Sequence, residues 1–235
     1  MTIWHWVRHG PTHEKNFVGW RDVPADLSDA PRLARLNLHL PDDALLVSSD
    51  LMRAVHTADA LALPSRRRLP HEQGLRELHF GAWDGLHFSE VAARDPDLSR
   101  AYWETPGDVA APEGESWNQT KSRVDRVVAR INAAHPNAHV IAVAHFGVIL
   151  TQVQQAQGGG PLEAMAHKID NLSVTHLVHE SGAALSAAGK ARGYLLDPGL
   201  LTVHTLKAES ATENENRGGG RRGYVEAILT LSVGS

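Results

Sequence analysis

Apolar residues in this chain fall into two rhythms. Short unbroken apolar runs alternate with longer stretches in which apolar positions recur every three or four residues. Residues 3–8 (IWHWVR) form the first run and stop at Gly10-Pro11, which predicts a strand followed by a turn. Residues 44–48 (ALLVS), 139–144 (HVIAVA) and 172–178 (LSVTHLV) predict three more strands. The longer stretches between them read as helices. Residues 31–39 have Pro31 in the first turn. Residues 51–61 follow Ser49-Asp50, which offers a cap. Residues 88–104 are helical with a break at Pro96. Residues 116–134 give the clearest amphipathic pattern, with Val124, Val127, Val128 and Ile131 on one stripe and Asn137 marking the exit. A further helix spans 147–157, and 105–114 (TPGDVAAPEG) form a loop. Alternating strands and helices, with no internal repeat, predict an α/β layer architecture.

The pattern changes past residue 180. Residues 181–193 are small and polar, and 207–223 (KAESATENENRGGGRRG) are nearly devoid of apolar side chains. The latter predict a mobile loop, because burial there cannot offset the entropy of ordering. Residues 224–233 (YVEAILTLSV) read as one more strand or as a flexible tail.

Composition narrows the class. Of 235 residues, 42% are apolar and 21% charged, as in ordinary globular proteins. No apolar run reaches membrane-spanning length, and the start of the chain lacks the basic-then-apolar pattern of a signal peptide. Cysteine is absent, which excludes a disulfide framework and points to a reducing cytoplasm. A net charge of -4 speaks against a nucleic-acid surface but not against a small anion held by a local Arg cluster. The 15 His raise the weight of acid–base or phosphoryl chemistry.

Three predicted strand ends carry such groups. Arg8-His9-Gly10 ends the first strand, Arg53 lies in the first turn of the helix after the second, and His145 follows the 139–144 strand. Ligands of α/β sheets bind outside the carboxyl ends of the strands. Arg8, His9, Arg53 and His145 gathered there would repel one another, and a phosphate dianion would relieve that repulsion. Taken singly, each has an ordinary explanation: a chance triplet, a structural histidine, a solvated arginine. Their joint placement carries the reading.

In order along the chain stand Val7-Arg8-His9-Gly10-Pro11-Thr12, Ser48-Ser49-Asp50-Leu51-Met52-Arg53-Ala54 with Thr57-Ala58, Leu75-Arg76-Glu77-Leu78 with Phe80-Gly81-Ala82-Trp83-Asp84-Gly85, and Ala144-His145-Phe146-Gly147-Val148-Ile149. Gly19-Trp20 with Asp22, Leu27-Ser28 and Pro112-Glu113-Gly114-Glu115-Ser116 add lesser matches. Over about residues 3–178 the chain resembles the histidine phosphatase, or phosphoglycerate mutase-like, superfamily, and most closely its alpha-ribazole and broad-specificity phosphatase branch. The resemblance implies a three-layer α/β/α fold with a mostly parallel sheet, a catalytic domain over 1–180 with a helical cap at about 86–115, and an atypical, partly flexible extension over 181–235.

The resemblance also implies roles. His9 is the nucleophile that forms a phosphohistidine. Arg8, Arg53 and His145 grip the phosphoryl oxygens, with His145 protonated. Glu77 is the proton donor and acceptor, which requires a raised pKa; read on its spacing alone it would be a surface ion pair with Arg76 or Arg53. Thr12 either bonds phosphate or closes the turn. Lys15 stands where the family carries a phosphate-contacting Asn, with Asn16 next to it, and Pro11 replaces an acidic residue. Trp20 lines the site or packs in the core, and Asn171 and Ser173 approach the substrate. No cofactor or metal is implied. The partner is a small phosphorylated molecule rather than nucleic acid or membrane, and a homodimer is left open. The shorter first loop and compact segment from Glu77 to His145 favour a phosphatase over a mutase. Two other classes stand as alternatives: a metal-dependent hydrolase using His9, His13 and Glu14, and a non-catalytic phosphate-ligand binding protein.

Overall fold

The computed structural model describes residues 1–179 and the backbone of 192–197 and 200–205. The expectations for 181–193, 207–223 and 224–233 lie outside these residues, except that 192–193 open a strand.

The strands are β1 (Thr2–Arg8), β2 (Ala44–Ser48), β3 (Arg66–Arg68), β4 (His139–Ala144), β5 (Val174–His179), β6 (Arg192–Asp197) and β7 (Leu200–Thr205). They form one sheet in the order β3-β2-β4-β1-β5-β6-β7. β3, β2, β4 and β1 run parallel, and β5 closes this mostly parallel core in the antiparallel sense. β6 and β7 continue the sheet as an antiparallel hairpin. Part of the stretch read as an extension thus adds strands beside β5.

The helices are α1 (Ala30–His39), α2 (Met52–Ala60), α3 (Phe88–Arg94), α4 (Pro96–Glu104), α5 (Trp117–Ala134), α6 (Phe146–Gln157) and α7 (Pro161–Met165). Successive strand side chains point to opposite faces. Val7, Leu46, Ile141 and Val143 therefore pack with Leu36 and Leu40 at the end of α1 and with Ala54 and Ala58 of α2. Trp4, Trp6, Val47 and Ala142 pack on the other face with α5 and α6. Burial on both faces explains why the strands are unbroken apolar runs rather than alternating ones. The result is the expected three-layer α/β/α architecture. Among the described residues no helix is long and apolar enough to cross a membrane.

The local signals differ in accuracy. Ser116 caps α5 through a reciprocal box with Gln119, and Asn137 takes a left-handed φ of 63° just past it. Pro96 starts α4 immediately after α3 ends. Ser49-Asp50 does not cap α2. Its cap is Leu51, and the free N–H of Met52 donates to Asp22 Oδ1 at 2.6 Å from a distant loop. Asp50 is engaged elsewhere, by Arg76 at 2.7 and 2.6 Å. Two short elements went unread in the sequence: α7, only five residues long, and β3, whose sequence is Arg66-Arg67-Arg68 and has no apolar residue.

Arg66 is nevertheless buried. Its guanidinium donates to the carbonyls of Asn37, Leu40, Pro41 and Leu61, tying the ends of α1 and α2 together. These carbonyls have no partner in their own helices. Arg66→Ala should therefore lower the unfolding free energy in urea by about 2–4 kcal/mol, whereas Arg67→Ala, on the exposed side of the same strand, should change it by less than about 0.5 kcal/mol.

Candidate active site

The parallel strands end at one edge of the sheet, and each delivers part of the site. β1 delivers Arg8 and His9, β4 delivers His145, and the first turn of α2 after β2 delivers Arg53. The imidazoles of His9 and His145 lie 5.1 Å apart between ring centroids, inclined at 59°. His9 Nδ1–H donates to the carbonyl of its neighbour Gly10 at 2.7 Å. That bond fixes the tautomer and leaves Nε2 as a lone pair. Asn171 Nδ2 donates to the His9 carbonyl at 2.8 Å.

Gly10 needs its missing side chain here. A Cβ would come within 2.6 Å of Leu27 Cδ2 and 2.9 Å of the Asp26 carbonyl. Its N–H donates to Thr57 Oγ1 at 3.0 Å, and the Thr57 hydroxyl donates to the Arg53 carbonyl at 2.7 Å. The turn after His9 and the helix that carries Arg53 are thus joined through one hydroxyl. Arg53 is buried, with its guanidinium on the carbonyls of Gly19 (2.7 Å) and Arg21 (3.0 Å). Arg8 donates to the Ile169 carbonyl at 2.6 Å and lies 5.3 Å above the ring of Phe146. Arg8 Nε and both ring nitrogens of His145 are buried without a hydrogen-bond partner among the described residues.

Glu77 is buried and is not an ion pair with Arg76, which holds Asp50. Its carboxylate accepts from the N–H groups of Leu78 and Gly147, each at 3.0 Å. Burial raises its pKa against the opposing pull of these bonds and of Arg53 and Arg8. Two side chains fix its backbone: Trp20 Nε1 and Arg123 both donate to the Glu77 carbonyl, at 2.8 and 2.7 Å.

Burial, then the charges of Arg53 and Arg8, hold His9 well below the usual imidazole range. Burial first, then Arg53 and His9, do the same to His145. Burial and these charges oppose protonation of His145, so the protonated form expected from the sequence is one that a bound phosphate has to favour. Burial also pushes Arg53 down to about 10.

The cavity above His9 is lined by Arg8, Arg53, Glu77, Thr12, Glu14 and Asn171 and by a wall of apolar and aromatic side chains. The other expected residues fall outside it. Lys15 is exposed, and Asn16 bonds the Gly85 carbonyl, so the first loop brings neither to the anion cradle. Trp20 sits behind Glu77, and Ser173 is buried beyond the lining. His13 pairs with Asp26 and Glu14 with Arg21, each at 2.8 Å, so neither joins His9 as a metal set. Thr57 and Arg123 have structural roles that spacing alone did not single out.

A family model described as the histidine phosphatase superfamily, branch 1, matches residues 5–188. The bifunctional protein Rv2228c of Mycobacterium tuberculosis is 32% identical over 182 residues, covering 77% of this chain and 48% of that protein, so the chain spans about half of its length. An adenosylcobalamin/alpha-ribazole phosphatase of Salmonella typhimurium is 34% identical over 158 residues, 63% of this chain and 76% of its own. A mycobacterial glucosyl-3-phosphoglycerate phosphatase, solved with VO3, superposes with a TM-score of 0.67 at 26% identity, over 82% of this chain and 96% of that one.

The buried imidazoles set a pH dependence. His9 and His145 are held neutral, and His5, facing His176, His139 and His39, is held down to about 3 by burial and by those rings. A histidine whose folded pKa is lowered contributes stability that is complete above its unfolded value and is lost as the pH falls below it. The thermal midpoint should therefore fall as the pH is taken below about 6.5. Ring nitrogen NMR signals of His9 and His145 should keep the neutral pattern at about pH 6 without ligand; an imidazolium pattern there would contradict the electrostatics described.

Proposed function

We propose, from the premise that this chain belongs to the histidine phosphatase superfamily, that it hydrolyses a small phosphate monoester through a covalent phosphohistidine on His9. The observation that carries this is the His9 Nδ1–H bond to the Gly10 carbonyl at 2.7 Å, which leaves Nε2 unprotonated at a cavity that holds the buried Arg53 and the half-buried Arg8.

The phosphoryl group would sit among Arg8, Arg53 and His145, where Arg8 Nε and the His145 ring nitrogens are unpartnered among the described residues and Arg53 adds its charge. The dianion also draws a proton onto His145. The Nε2 lone pair attacks phosphorus in line, and the bond to the alcohol oxygen breaks. Glu77, protonated through its raised pKa, gives its proton to the departing alkoxide. Glu77 then takes a proton from water, whose oxygen attacks phosphorus. The N–P bond breaks, inorganic phosphate leaves, and neutral His9 is restored. Every donor in this scheme is a side chain, so the reaction needs no metal.

Phosphatase rather than mutase rests on the compact first loop and the phosphatase names of the relatives. A phosphomonoester panel should release inorganic phosphate, and isomerisation of 3-phosphoglycerate without phosphate release would contradict the reading. His9→Ala should lower kcat at least about 10⁴-fold. Glu77→Gln should lower it about 10²–10⁴-fold and abolish the decline in kcat that the wild type shows as pH rises through the Glu77 pKa. Dialysis against EDTA should leave activity intact; a loss restored by a divalent cation would favour a metal mechanism.

A further inference from the structure

The part of the cavity away from the anion cradle has a distinct chemistry. Its walls are Phe17, Phe80, Tyr102, Trp103, Val109 and Trp117, drawn from the first loop, the segment just after Glu77, the helix α4, the loop after it and the start of α5. Phe17 and Trp103 are stacked, with ring planes 11° apart and centroids at 6.0 Å, and Phe80 packs on Phe17 at 4.9 Å. Tyr102 Oη and Trp103 Nε1 are buried without a hydrogen-bond partner among the described residues, at 4% and 7% residue exposure.

The charges tell the same story. Among the described residues the only Lys or Arg in the lining are Arg8 and Arg53, both assigned to the phosphoryl group. Glu14, at the same cavity, is already matched by Arg21. A second anionic group on a substrate would be desolvated here with no cation to meet it.

We infer that the alcohol portion of the substrate is an uncharged, flat, apolar group, so that the protein prefers arylalkyl or aryl phosphates to phosphosugars or phosphorylated acids. This rests on the phosphatase reading and specifies its leaving group.

The test compares 2-phenylethyl phosphate with glycerol 3-phosphate and 3-phosphoglycerate on the full chain. All three have alkyl leaving groups, so bond reactivity is matched and the contrast reports the wall. The phenylethyl ester should show kcat/KM at least about tenfold higher, chiefly through KM. Val109→Asp, in a half-buried loop position, should bring the ratio toward one. Equal or better turnover of glycerol 3-phosphate or 3-phosphoglycerate by the wild type would overturn the inference and leave the phosphatase reading standing. Phosphate release from none of the three would overturn both.

Discussion

The proposed chemistry depends on one short hydrogen bond between neighbouring residues. His9 can use Nε2 only because Nδ1 is committed to the Gly10 carbonyl. That carbonyl is in place because Gly10 fits against Leu27 and Asp26 without a side chain, and because its N–H is held by Thr57. Thr57 in turn binds the carbonyl of Arg53, so the tautomer of His9 and the position of the arginine share a support. Each such bond contributes about 1 kcal/mol to stability. Their larger effect is to remove alternative geometries from a site that tolerates little error.

The second constraint is electrostatic. Arg8, Arg53, His9 and His145 lie together with little water to screen them. The two imidazoles yield by staying neutral, which costs less than adding charge beside buried guanidinium groups. On the proposed mechanism a phosphoryl dianion reverses this balance and turns His145 into a donor when charge develops on phosphorus. Glu77 follows the opposite logic: burial raises its pKa and favours the protonated form, while backbone N–H groups support the carboxylate.

The strands and long helices were legible because burial on both sheet faces leaves unbroken apolar runs, and Val124 through Ile131 mark the covered side of α5. The residues Arg8, His9, Arg53, Glu77 and His145 were legible because they stand in ordered motifs; the fold brings the first four to one cavity and sets His145, fully buried, against the His9 ring behind it. Other features leave no local trace. β3 is a run of arginines, one of them buried on carbonyls of two helices, and α2 is capped by Asp22 from another loop. Lys15 looked placed for phosphate by its offset from Arg8, but the short loop turns it to solvent. Tyr102 and Trp103 stand on a helix that the sequence marks only as part of a cap, and the tertiary arrangement is what shows them walling the cavity.

Rapid quenching of the full chain with a ³²P-labelled phosphomonoester, followed by peptide mapping, tests the central claim most directly. The account predicts an acid-labile, alkali-stable phosphoryl group at Nε2 of His9. A label on another residue, or steady turnover with no labelled protein at any quench time, would contradict it.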